Sequence, residues 1–149
     1  MAHFAELKQK TDPTGFTSDK HWIVERVIVV DNKHVDGDEH VSGEEWCKNF
    51  FGGGVWKQTS YNHNFRKKYA GVGNVYDYAK NKYIAPQPFA SWSLDANDDW
   101  QSPVTAPSPA DSVDYIVGWD EENQQWTGIK KSDQSNWNWD ASGLAWVSA

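Results

Sequence analysis

Hydrophobic and polar positions change rhythm along this chain, and each rhythm predicts a different element. Residues 2–7 (AHFAEL) alternate weakly and predict a strand. Residues 8–20 (KQKTDPTGFTSDK) are punctuated by Asp12-Pro13 and Gly15 and predict a turn-rich excursion. Residues 21–31 (HWIVERVIVVD) carry the strongest strand signal. The run Val27-Ile28-Val29-Val30 is β-branched throughout, which predicts burial on both faces. Residues 42–51 (SGEEWCKNFF) predict one short helix. Ser42 stands as its N-cap with Glu45 three positions on, a capping-box spacing. Trp46, Cys47, Phe50 and Phe51 form one apolar helical face. Gly52-Gly53-Gly54 ends the helix, because glycine takes the left-handed C′ position without steric cost. VWKQTS (55–60) then predicts a further strand.

The second half follows another rule. An apolar residue followed by Asp recurs, with an aromatic residue five or six positions after the Asp. Tyr76-Asp77 leads to Tyr83, Leu94-Asp95 to Trp100, Trp119-Asp120 to Trp126, and Trp139-Asp140 to Trp146. Each copy predicts a short hairpin. The Asp accepts from backbone N–H groups ahead of it, and the flanking side chains pair across the strands. A lone hairpin is unstable in water, so the copies are expected to stack on each other or on the first half. Proline segments separate them: APQPF (85–89) and SPVTAPSPAD (102–111). The latter reads as a linker between a core, residues 1–104, and a C-terminal Trp-rich hairpin arm, residues 105–149.

Composition sharpens this picture. Ten of 149 residues are Trp and one is Met, so the core is expected to be built from rings and β-branched side chains, favouring sheet. A net charge of −7 argues against a nucleic-acid partner, which would require a basic surface. Calcium or a basic partner would be compatible with it without being implied. The single cysteine, Cys47, cannot close an internal disulfide. No signal-peptide pattern and no apolar run long enough to span a membrane is visible, so no membrane partner is expected.

Several patterns look chemical. Gly52–Gly54 near Lys57 and Thr59 suggests a phosphate loop, but that loop needs glycines between a strand and a following helix. Here they follow a helix and precede a strand, so the helix-stop reading is preferred. Arg66-Lys67-Lys68 among Tyr61, Phe65 and Tyr69 would suit single-stranded nucleic acid, against an acidic whole. A solvated turn or a docking surface for an acidic protein fits better. His34, Asp36, Asp38, Glu39 and His40 form a polar cluster with neither an EF-hand loop nor a recognised zinc spacing. Cys47 is expected as a core thiol. Asp98-Asp99 and Glu121-Glu122 read as turn tips. No cofactor, metal or enzymatic activity is expected. Trp137 and Trp139 in NWNWD share a strand face and could serve a core, a sugar platform or a protein contact.

Six ordered stretches carry a resemblance: MAHFAEL, VIVVDN, CKNFFGGGVWKQTSYNHNFRKKYAGVG, YIAPQPFASWSLD, WQSPV and GWDEENQQW. They resemble a family of small proteins of marine bacteriophages, especially cyanophages, labelled uncharacterised or virion structural. The resemblance covers residues 1–7 and 24–127. It implies a component of a phage particle and supplies no catalytic or binding residue. Residues 8–20 are longer than the family's first turn, and 128–149 add a hairpin beyond its usual end.

The expected fold is therefore α+β, mostly β: a small antiparallel sheet with one short helix (about 42–51) followed by aromatic β-hairpins. The expected function is a non-enzymatic virion protein on the particle exterior, assembled in the host cytoplasm. It would be oligomeric in the virion and would dock on a capsid or tail protein. Trp56, Tyr61, Phe65, Arg66, Lys67, Trp137, Trp139 and Trp146 are the expected contact residues. The alternatives are a glycan-binding module associated with a tail fibre and a small protein acting inside the infected host.

Overall fold

A computed structural model describes residues 1–9, 21–35 and 39–149, with Glu39 described by its backbone alone. Most of the 8–20 excursion, and Asp36 and Asp38 of the acidic cluster, lie outside the described residues. The fold is α+β and mostly β, with one α-helix and antiparallel sheets among the described residues. The chain divides into two compact units, Met1–Pro86 and Gln87–Ala149, so the proline-rich segment 102–111 lies within the second.

The first unit is a five-stranded sheet. Its strands are β1 (Ala2–Gln9), β2 (His21–Val30), β3 (Val55–Thr59), β4 (Val75–Asp77) and β5 (Lys82–Ile84), in the order β3-β1-β2-β4-β5. Strand β1 is covered on both sides: consecutive residues Phe4 and Ala5 are both 0% exposed, although alternation sends them to opposite faces. One face packs Ala2, Phe4, Val30 and Trp56 with Cys47 of the helix α1 (Glu39–Phe50). The other packs Ala5, Leu7, Val24, Tyr76 and Tyr83 with Ala70 from the 60–73 loop. Between Glu6 and Leu7 the register shifts, leaving Glu25 as the extra residue of a β-bulge on β2.

Three expectations are corrected here. Helix α1 begins at Glu39, so Ser42 lies within the helix rather than at its cap. A capping box forms only where the Ser backbone is still outside the helix. The apolar helix face also divides. Gly43 and Cys47, four apart, form the stripe that meets the sheet, whereas Phe50 and Phe51 remain 67% and 38% exposed beyond it. Finally, β2 is not covered on both faces along its length. Val30 is buried on the face that α1 covers, but Val29, which alternation turns to the other face, is 53% exposed.

The helix stop follows the expected chemistry. Gly53 N–H donates to Lys48 O (2.7 Å) and Gly52 N–H to Asn49 O (3.4 Å), the two bonds of a Schellman motif. Gly52 and Gly53 hold φ of 72° and 133°, which side chains with a Cβ rarely adopt. Gly43 is needed for a different reason. A Cβ there would stand 2.1 Å from the Phe4 ring, so its absence sets how closely α1 approaches the sheet.

The hairpin repeat is present in all four copies. Tyr76 faces Tyr83, Leu94 faces Trp100, Trp119 faces Trp126 and Trp139 faces Trp146. In each turn the Asp carboxylate accepts from backbone N–H groups ahead of it: Asp77 from Ala79 and Lys80, Asp95 from Asn97 and Asp99, Asp120 from Asn123, Asp140 from Ser142 and Gly143. A second common feature was not read from the sequence. Near the end of each turn one residue takes positive φ: Asn81, Asp98, Gln124 and Leu144.

The second unit holds the small hairpin β6 (Ser93–Leu94) and β7 (Trp100–Gln101) and a four-stranded meander. The meander is β8 (Tyr115–Asp120), β9 (Gln125–Lys130), β10 (Asn136–Asp140) and β11 (Ala145–Ser148), in sequence order across the sheet. Its register places Tyr115, Trp119, Trp126, Trp137, Trp139 and Trp146 on one face. Gly128 is the small residue between them; a Cβ there would stand 2.7 Å from the Trp146 ring.

Candidate interaction sites

The 60–73 loop is a built structure. Ser60 starts it, its hydroxyl accepting from Asn64 N–H and its carbonyl from His63 N–H. His63 Nδ1 accepts from Tyr69 N–H, Thr59 Oγ1 from Ala70 N–H, and Val24 O from Gly73 N–H. Three non-glycine residues in it have positive φ: His63 (60°), Arg66 (54°) and Lys67 (71°). Such conformations cost about 1–3 kcal/mol each and persist only where the surroundings hold them.

Arg66 shows what does the holding. Its Nη1 donates to Gln58 O on β3 (2.9 Å) and to the Glu44 carboxylate on α1 (3.2 Å), while its Nε donates to Asn81 Oδ1 (3.0 Å). Its own carbonyl accepts from Tyr83 N–H on β5 (3.0 Å). Tyr83 reaches the same place from the other side, its hydroxyl donating to Lys57 O at 3.0 Å. Strands β3 and β5 are the two edges of the sheet, so the sheet curls until Arg66 and Tyr83 bridge its edges. Burial pushes the Tyr83 hydroxyl far above the ordinary phenol range and Tyr78 up to about 12. Glu44 completes the seam by accepting from Gln58 N–H at 3.1 Å, with Lys57 Nζ 3.5 Å away.

The expected contact residues therefore fall into different settings. Trp56 is in the core at 4% exposure, with its indole N–H donating to Gly53 O. Arg66 is in the seam, its side chain 8% exposed, and its charge faces Glu44. Tyr61 is 66% exposed and stacks on His3, with Tyr69 at the edge of both rings. Burial holds the His3 imidazole below its ordinary value. Phe65 is half-buried, edge-on to His40, and Lys67 is likewise half-buried. His3, Tyr61, Asn62 and Asn64 border a shallow cavity of about 320 Å³.

In the second unit the expected residues lie on the aromatic face of the meander. Tyr115 and Trp146 stack at 4.5 Å, and Trp139 meets Trp146 edge-on at 5.3 Å. Trp139 is 5% exposed. The segment 102–111 is a strap on this face. Trp126 Nε1 donates to Ser102 Oγ (3.2 Å), Trp139 Nε1 to Thr105 O (3.0 Å) and Trp146 Nε1 to Asp111 O (2.8 Å). Trp137 Nε1 bonds Ser135 Oγ, with Lys130 Nζ 5.3 Å from the indole ring. Glu121 is more than a turn tip. It accepts from Trp119 Nε1, Ser91 N–H and Ser91 Oγ, bonds that hold its carboxyl below the ordinary glutamate range.

Sequence reasoning missed an aromatic ladder that runs from the core to an exposed end at Phe50 and Phe51. His34 stacks on Trp46 at 4.6 Å, Trp46 on Phe50 at 4.8 Å, Phe50 meets Phe51 edge-on, and Phe51 stacks on Trp56 at 4.8 Å. The Arg26 guanidinium lies 4.5 Å from the Phe51 centroid and pairs with Glu6. The signal lay in Trp46 and Phe50 at i and i+4, which meet on a helix whether or not anything covers them. Cys47, beside this ladder, is fully buried, and burial raises its thiol to about 11, the setting of a core thiol.

A comparison of the chain with family models, curated proteins and solved structures finds no match in any of the three.

Proposed function

We propose that the chain is a non-enzymatic docking protein on the exterior of a phage particle, most naturally a head decoration or accessory protein bound to a major structural protein. The resemblance of residues 1–7 and 24–127 to small virion proteins supports the class. The observation that carries the docking mechanism is the ladder His34-Trp46-Phe50-Phe51-Trp56, with Phe50 67% exposed at its centre. Exposed aromatic rings held rigidly are the side chains that dominate protein interfaces, since they lose little entropy on contact. The docking residues then differ from those expected: Phe50, Phe51 and Trp46 replace Trp56 and Arg66, which are committed to the fold. Phe50→Glu tests this, because it alters an exposed ring and leaves Cys47 packing intact. Native protein is expected to copurify with particles and the variant to be lost from them. Native protein absent from particles by mass spectrometry overturns the proposal.

A second reading, a glycan-binding module, rests on the cavity beside Tyr61. An exposed ring flanked by the Asn62 and Asn64 amides offers a stacking face and hydrogen-bonding groups for a sugar. A glycan array showing saturable binding that Tyr61→Ala abolishes favours this reading, and no binding across the array removes it.

A further inference from the structure

We infer that the aromatic face of the meander is a receptor for a proline-rich peptide segment, and that residues 102–111 occupy it in cis. The inference is independent of the particle reading above. Pro103, Pro107 and Pro109 have no backbone N–H, so this stretch cannot pair as a regular strand. What it presents is carbonyl oxygens and short hydroxyls. The face presents the complementary inventory, since an indole N–H donates and never accepts. Three such donors meet acceptors at Ser102, Thr105 and Asp111. The first two acceptors are three residues apart and the third six further on, multiples of the three-residue repeat of an extended proline helix. The strap departs from that helix by bending at 103–104 and turning from residue 109, so the spacing of acceptors, not an unbroken helix, is what the face reads.

The rings explain why the face needs such an occupant. Trp139 is buried beneath the strap, and Thr105 O is the acceptor that satisfies its N–H there. The rings themselves pack tightly, Tyr115 on Trp146 at 4.5 Å over Gly128, which makes a firm platform instead of a collapsed cluster. Space remains at one end. A groove of about 530 Å³ runs between Trp92, Trp126 and the strap residues Pro103 and Val104. Trp92 lines this groove, and its Nε1 is buried with no hydrogen-bond partner among the described residues. It is a fourth indole donor that the cis strap leaves unused. Aromatic grooves whose indoles donate to carbonyls are the general means of recognising proline-rich segments.

The cis strap acts as a competitor at high effective concentration, about millimolar for a short tether, so a partner segment binds the native chain weakly. The test uses the full chain with residues 103–109 replaced by a Gly/Ser linker, titrated with a synthetic peptide of residues 101–112 and followed by Trp fluorescence. Saturable binding is expected, at least tenfold tighter than to the native chain. A peptide with Pro103, Pro107 and Pro109 replaced by Gly should bind at least tenfold more weakly. A milder variant, Pro107→Ala with Pro109→Ala, keeps every strap carbonyl and the sheet's own bonds. It should bind the peptide with intermediate affinity, and it decides the matter if the linker variant does not fold. No saturable binding to a variant whose paired indoles retain their far-ultraviolet exciton circular dichroism overturns the inference, as does equal binding of the glycine peptide.

Discussion

Arg66→Met separates two roles for the same residue, a docking cation and a seam that closes the sheet. The substitution keeps chain length and leaves φ unchanged while removing the charge and every donor. It deletes bonds to Gln58 O at 2.9 Å, Glu44 at 3.2 Å and Asn81 at 3.0 Å. Removing one partner of a buried ion pair costs about 3–5 kcal/mol. Glu44 is 16% exposed, retains Gln58 N–H at 3.1 Å and has Lys57 Nζ at 3.5 Å. These put the loss at the low end, about 3 kcal/mol. Cys47 provides the assay. It is the chain's one cysteine and is fully buried in the first unit, so its labelling by a thiol reagent reports opening of that unit. At about 1.4 kcal/mol per decade, labelling of Arg66→Met should run roughly a hundredfold faster than native. Combining it with Glu44→Gln should lose less than the sum of the two single changes, because the orphaned carboxylate is then neutral. Labelling within threefold of native refutes the seam and returns Arg66 to the surface.

Gly43→Ala should destabilise the first unit by about 1–2 kcal/mol despite alanine's better helix propensity, because the closed Phe4 ring occupies the new Cβ position; urea unfolding measures it, and a stabilised variant contradicts the packing. Leu144→Gly should stabilise the second unit by about 0.5 kcal/mol in the same measurement, since Leu144 holds φ of 52° and the relief of strain exceeds glycine's entropy cost. Asp140→Ala should cost about 1 kcal/mol by leaving Ser142 and Gly143 N–H without their acceptor. Glu121 has its folded pKa lowered, first by the Trp119 indole, so its contribution is present above the unfolded value and is lost as pH falls through the folded one. Acid titration of the second unit should therefore be less steep below the ordinary glutamate range in Glu121→Gln, and an unchanged profile contradicts those bonds.

The hairpins were legible because their information is local. An Asp that caps its own turn and two side chains six or seven positions apart define a hairpin without reference to the rest of the chain. The positive-φ position near the end of each turn was not legible, because Leu144 and Gln124 lack the preference that marks Asn81. The helix stop was equally local, but the helix start was not: Ser42 and Glu45 have cap spacing, and only the backbone shows that Ser42 is already helical. The site residues depended on distant partners. Arg66 reads as a surface cation until β3 and β5 are brought to it. Residues 102–111 read as a linker because a proline-rich stretch has the same composition whether solvated or strapped to rings encoded by residues 126–146. Phe50 and Phe51 read as part of one apolar helix face with Cys47 because apolar spacing does not say where the sheet ends.

The proposed docking on a phage particle through the aromatic ladder at the end of α1 is put to the test with purified phage particles. Quantitative mass spectrometry compares particles made with native protein and with Phe50→Glu, with Cys47 labelling confirming that the variant is folded. Native protein is expected at a fixed ratio to one major structural protein, and the folded variant is expected to be lost. Folded variant retained at the native ratio, or native protein missing from particles, contradicts the proposed docking.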